Sequence, residues 1–190
     1  MINDGSSDSS ESIAEGFIEP AAQRGVLLTV ITLSHVGLIA ALEAGLDAAS
    51  SEIVARMDAD DVCEAWRLGR QFAFLQANPH IHVLGGQAVL LTETAEEEDE
   101  DVELVVATGI PTHPMMIQWV MMFRCCVLHP TVAFRKNIIR ECGSYASALQ
   151  GVGKCVEDYD LWLRVAERYF FVFVCLFVYF YLFLSSYFKF

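Results

Sequence analysis

The chain is 190 residues long, enough for one domain with a substantial core and short for two. Its formal net charge of −13 is unevenly placed, with 4 basic and 20 acidic side chains in residues 1–110 against 8 and 5 in residues 111–190. Nucleic acid is therefore not an expected partner. Hydrophobic residues make up 54% of the chain, and much of that excess follows Tyr169.

In chain order, an Asp4-Gly5-Ser6 turn stands close to Met1, and Ser9 to Gln23 has the composition of a short helix. Val26 to Thr32 is rich in β-formers. Gly37 to Ala49 is spaced for a helix with Leu38, Ala41, Leu42 and Leu46 on one side. A strand over Glu52 to Met57 runs into Asp58, Asp60 and Asp61. Val62 to Ala77 then reads as a helix presenting Val62, Trp66, Phe72 and Leu75 to a core, stopped by Asn78-Pro79. His82 to Leu91 alternates as a strand interrupted at Gly85-Gly86. The acidic run Glu96 to Asp101, within a loop over 92–104, is a solvated segment whose like charges resist packing. Met115 to Phe123 reads as a helix and Val132 to Phe134 as a short strand. Glu157 to Arg168 reads as a helix with Leu161, Trp162 and Val165 inward.

The six cysteines form no Cys-x-x-Cys pair and have no zinc-like histidine spacing, so they read as small buried hydrophobes in a reducing compartment. The first twenty residues are acidic and Ser-rich and lack the apolar core of a secretory signal, which points to the cytoplasm or the cytosolic face of a membrane. Tyr169 to Phe188 approaches the roughly 20 apolar residues of a membrane span, with Arg164 and Arg168 just before it. The same density of aromatic and β-branched residues also suits buried strands or a non-native end. The chain thus divides into a domain over 1–169 and an apolar tail over 170–190.

The acidic cluster carries the chemistry. Residues two apart on a strand share a face, so Asp58 and Asp60 lean toward one point. Two carboxylates about 4 Å apart repel by roughly 4 kcal/mol at an effective dielectric near 20, which a divalent cation offsets. Asp58 and Asp60 are thus candidate ligands for Mg²⁺ or Mn²⁺. The competing reading is that an Asp here caps the following helix.

Several segments, in order, resemble family 2 glycosyltransferases: Ile2-Asn-Asp-Gly-Ser-Ser-Asp8, Gly37 to Ala49, Glu52 to Asp61 with Arg67-Leu-Gly-Arg-Gln71, Asn78-Pro79, Val83-Leu-Gly-Gly86, His129-Pro-Thr-Val-Ala-Phe-Arg135 and Glu157-Asp-Tyr-Asp-Leu-Trp-Leu-Arg164. The resemblance covers roughly residues 2–169. It implies an α/β fold of the GT-A type, Rossmann-like with a mostly parallel sheet and flanking helices, lacking the family's first strand at the N-terminus. It also implies a nucleotide-diphosphate sugar donor and a glycan, lipid or protein acceptor. Under it Asp4 contacts the nucleotide base, Asp58 the ribose and Asp60 the cation, with Asp61 supporting the cation or capping a helix. Asp158, paired with Glu157, is the general base of an inverting transfer, and the tail offers a membrane contact. Arg56 and Arg67 support the acidic cluster through charge-assisted hydrogen bonds. His129 either orients the acceptor or is structural.

Departures from the pattern are Asn3 where an Asp often precedes Asp4, and His35 and Glu43 where Asn is frequent. Two other readings compete. Asp58-Ala-Asp60-Asp61-Val62 also fits an aspartyl-nucleophile phosphatase, with Asp58 as nucleophile and Asp60 as acid. A truncated, non-catalytic relative that survives as a fragment or a membrane-associated protein is the other.

Overall fold

The computed structural model describes residues 1–92, 103–106, 110–146, 157–169 and 180–183. Strand β1 (Ile2–Asn3) pairs in parallel with β2 (Ile31–Thr32), bringing the Asp4-Gly5 turn beside the loop that leads into helix α3 (Leu38–Ala48). Gly5 has φ +74°, and a Cβ there would lie 2.9 Å from the His35 backbone nitrogen, so this approach admits only glycine. Between these strands lie α1 (Ser10–Gly16) and α2 (Ile18–Gln23) rather than one helix over Ser9 to Gln23. Pro20 explains the break: its ring clashes with the carbonyl four residues back, at Gly16, where α1 ends. Of the β-rich run Val26 to Thr32, only its last two residues pair.

The sheet at the centre places β8 (Ala133–Arg135) between β3 (Ile53–Ala55) and β5 (Val83–Leu84), antiparallel to both. A second sheet runs β4 (Asp61–Cys63), β9 (Phe180–Phe183), β6 (Val89–Thr92) and β7 (Glu103–Val106). Its β6–β9 pair is parallel and its other two pairs are antiparallel, so the described ladders are mixed.

Helices α3, α5 (Pro114–Met121), α6 (Lys136–Glu141) and α7 (Glu157–Arg168) cover the central sheet and bury Leu46, Ile117, Met121, Ile138, Ile139, Leu161, Trp162 and Val165 with Val83, Val132 and Phe134. The inward positions expected on α7 are all buried. Trp162, fully enclosed, meets the His129 ring edge-on at 5.8 Å and Phe134 at 6.5 Å. Truncating such a ring costs about 3–5 kcal/mol.

The segment after the acidic cluster departs most from the sequence expectation. Asp61 to Cys63 is strand β4, and helix α4 (Arg67–Ala77) begins only at Arg67, with Trp66 as its N-cap residue. Asp61 therefore caps no helix. Leu75 is buried as expected, but Val62 and Phe72 are exposed, and α4 turns Arg67 and Gln71 inward in their place. The polar members of that stripe are buried because the chain before β8 offers them carbonyl oxygens.

The strand expected over His82 to Leu91 is split into β5 and β6 around Gly85-Gly86. The acidic run Glu96 to Asp101 lies outside the described residues. So does most of the 170–190 tail, of which Phe180–Phe183 form a strand between β4 and β6 rather than part of a helix. No helix among the described residues is long and apolar enough to cross a membrane. Among the described residues Cys63, Cys125, Cys126 and Cys142 are free thiols, the last two buried and the first two half-buried.

Candidate active site

Beyond β3 the chain leaves the sheet and turns, the Asp61 N–H reaching back toward the Asp58 carbonyl at 3.4 Å. This turn, and not strand alternation, brings the acidic side chains together: one carboxylate oxygen from each of Asp58, Asp60 and Asp61 lies within 4.8 Å of the others. Their environments differ. Asp60 is exposed and Asp58 half-buried, whereas Asp61 is 8% exposed and its Oδ2, wholly buried, has no hydrogen-bond partner. Burial first, then the charges of Asp58 and Asp60, push the Asp61 carboxyl up to about 6. A cluster of hard oxygens with an orphaned buried lone pair fits a Mg²⁺- or Mn²⁺-like cation.

Asp58 already has a cationic partner. Arg56 donates from Nη1 to Asp58 Oδ2 at 2.7 Å and from Nη2 to Oδ1, a bidentate pair. The other expected support, Arg67, takes a different part. It is fully buried, and its Nη2 donates to the carbonyls of Arg56 at 2.7 Å and Pro130 at 3.0 Å while Nε donates to Gln71 Oε1. Gln71 Nε2 in turn donates to the Thr131 carbonyl at 2.8 Å. Arg67 thus ties the base of the acidic turn to the chain before β8, and its charge also acts on Asp61.

The Arg56 charge also acts on Asp158, on Tyr145 and on His129, so all three lie within its electrostatic reach. Asp158 sits at the start of α7 and accepts the Tyr159 N–H at 2.7 Å. Burial raises its carboxyl, and the neighbouring Glu157 charge adds to the rise. His129 faces the Tyr145 hydroxyl at 2.9 Å in the protein interior. Burial and the Arg56 charge push its imidazole down to about 3, so it is neutral here.

Asp4 lies beside the start of α3. Its Oδ1 accepts the Val36 N–H at 2.7 Å and its Oδ2 the Gly37 N–H at 2.8 Å, which fixes the loop before the helix. Asn3 Oδ1 accepts the Ser6 N–H, and its Nδ2 is buried without a partner.

Two contributors were missed in the sequence. Glu43 accepts hydrogen bonds from the Ser144 hydroxyl, the Tyr145 and Ala146 N–H groups and Arg140, holding the turn that carries Tyr145. Tyr145 itself carried no motif. The Arg67–Gln71 pair had one available signal, an i, i+4 spacing of complementary polar groups. A cleft lined by Ser51, Glu52, Phe72, Gln76 and Arg135 lies at the opposite end of β3 and contains none of these residues.

Glycosyl transferase family 2 matches residues 1–139. The amylovoran biosynthesis glycosyltransferase AmsE of Erwinia amylovora is 34% identical over 73% of this chain and 47% of its own length, so the chain spans about half of that relative. Among solved structures, S. aureus TarS with UDP-GlcNAc superposes with TM-score 0.63 at 18% identity, over 97% of this chain and 49% of that one. GalNAc-T7 with UDP, GalNAc and Mn²⁺ gives TM-score 0.64 at 17% identity, over 96% and 37%. Sequence match and architecture agree: the chain belongs to glycosyl transferase family 2 and has the GT-A fold.

Proposed function

We propose that this chain moves a sugar from a nucleotide-diphosphate donor to a hydroxyl of a glycan acceptor, with inversion and with the help of a divalent cation. The observation that carries the reading is the acidic turn, in which three carboxylates converge, one of them buried with an unpartnered oxygen. A neighbouring arginine links that turn electrostatically to Asp158. UDP-GlcNAc in TarS and UDP with Mn²⁺ in GalNAc-T7 support the donor class.

In this reading Asp60 and Asp61 would hold the cation, with Asp58 shared between it, the donor ribose and Arg56. A Mg²⁺ or Mn²⁺ ion there supplies neutralising charge for the leaving diphosphate. Asp4 and Asn3 border the base end of the donor. Asp158 takes the proton from the acceptor oxygen as that oxygen attacks the anomeric carbon. A carboxylate in water is a weak base for an alcohol, and burial of Asp158 improves the match.

Substituting Asp158→Asn should leave donor binding intact and remove transfer, whereas Asp60→Ala should remove cation-dependent donor binding. Calorimetric titration of the donor nucleotide with and without Mn²⁺ reads binding, turnover with a panel of saccharide acceptors reads transfer, and proton NMR of the first-formed product reads the anomer. Transfer retained by Asp158→Asn, or a retained anomeric configuration, would sink the assignment of the base.

A further inference from the structure

The acidic turn already holds a positive charge, and the backbone that carries it is pinned. Arg56 directly follows β3, where its N–H donates to the Val132 carbonyl at 3.0 Å and its own carbonyl accepts Arg67 Nη2 at 2.7 Å. One bond fastens it to the chain before β8 and the other to α4. Its side chain is 14% exposed against 39% for that of Asp58, so solvent screens the guanidinium poorly. The fork of Arg56 on Asp58 takes one lone pair from each carboxylate oxygen and leaves one on each for a further partner.

The balance of charge bears on any cation that enters. Asp58, Asp60 and Asp61 bring three carboxylates together, and the guanidinium charges of Arg56 and Arg67 both act on Asp61. Three carboxylates against two guanidinium groups leave a single net negative charge, where the carboxylates alone would present three. Attraction for a divalent ion scales with that charge, and a fixed positive group on one of the carboxylates subtracts from it directly. An ion that arrives with a nucleoside diphosphate brings negative charge of its own, and for that complex the guanidinium is no obstacle. The two arginines differ in how cleanly they can be replaced. Arg67 is bonded to the Arg56 and Pro130 carbonyls and to Gln71, so its loss reports on folding. The Arg56 side chain gives both of its hydrogen bonds to Asp58, which leaves its charge open to test.

We propose that Arg56 is a resident counter-charge that keeps the turn's affinity for a bare divalent cation low, so that the cation enters together with the donor diphosphate. The proposal rests on the transfer reading above and adds to it the order in which the parts of the site assemble. The same balance loosens the ion again when the diphosphate departs.

Free Mn²⁺, read from its electron paramagnetic resonance signal, is titrated with the 190-residue chain, with and without uridine diphosphate and against uridine diphosphate alone. The parent should bind Mn²⁺ at least about tenfold more tightly with uridine diphosphate than without it. Arg56→Gln should bind Mn²⁺ alone about tenfold more tightly than the parent does, because one positive charge is gone. Arg56→Lys keeps the charge, loses the fork and should bind Mn²⁺ alone as the parent does. Circular dichroism establishes that both variants are folded. Three results would each overturn the proposal: Mn²⁺ binding by the parent that uridine diphosphate does not strengthen, no gain in Arg56→Gln, or an equal gain in Arg56→Lys. If the parent binds Mn²⁺ neither alone nor with uridine diphosphate, the cation reading is lost and the proposal with it. If the two bind together and only the variants behave otherwise, the proposal is lost and the transfer reading stands.

Discussion

Substituting Asp61→Asn should stabilise this protein at neutral pH, which is unusual for a buried charged residue. The carboxyl is held up to about 6 in the folded chain against 3.8 as its ordinary value. A folded value above the unfolded one means that the native state binds the proton more tightly. The contribution is therefore favourable at low pH and is lost as pH rises through 6. At about 1.4 kcal/mol per unit, the folded chain at pH 7 carries roughly 3 kcal/mol of strain from this one charge. Asparagine removes the charge and keeps the shape. Urea unfolding from pH 4 to pH 8 is the assay, and the advantage of the variant over the parent should grow by about 2 kcal/mol between pH 4 and pH 7. Adding Mn²⁺ should stabilise the parent and have less effect on the variant, because binding to the native state adds to stability by mass action. Parallel stability profiles for parent and variant across this range would refute the reasoning, since the buried carboxylate would then carry no excess charge energy.

Three further outcomes follow from the same geometry. Arg67→Met keeps much of the side-chain volume but strips donors from the Arg56 and Pro130 carbonyls and from Gln71, and urea unfolding should show a loss of about 3–5 kcal/mol. Glu43→Ala removes the acceptor shared by Ser144, Tyr145 and Ala146 and should cost about 2–3 kcal/mol, with faster amide exchange at Tyr145 and Ala146 as its local signature. His129 is pushed down to about 3, below its unfolded value of 6.5, so the unfolded chain takes up a proton that the folded one refuses. Stability then falls as pH drops below 6.5, by about 2 kcal/mol at pH 5, and His129→Phe should flatten that part of the acid limb in a urea series.

What could be read from the sequence was local. The acidic turn lies within four consecutive residues, and the inward face of α7 follows from helical spacing of Leu161, Trp162 and Val165, so neither depends on distant partners. The inward face of α4 was misread because apolar spacing favoured Phe72, whereas the side chains that turn in are Arg67 and Gln71. Their burial is stabilised by carbonyls at Pro130 and Thr131, some sixty residues away, which no local pattern announces. The role of Glu43 is hidden for the same reason, since its partners at 144–146 are about a hundred residues distant. Even the acidic cluster converges by a different route from the one its spacing suggested. A reversing turn, not the two-residue period of a strand, brings Asp58, Asp60 and Asp61 within reach of one ion.

The central claim is that this turn holds a cation through which a nucleotide diphosphate is bound, and calorimetric titration of uridine diphosphate into the 190-residue chain, with and without Mn²⁺, tests it most directly. The account predicts binding that requires Mn²⁺ and is absent in Asp60→Ala. Binding that is the same without Mn²⁺, or unchanged in Asp60→Ala, would contradict it.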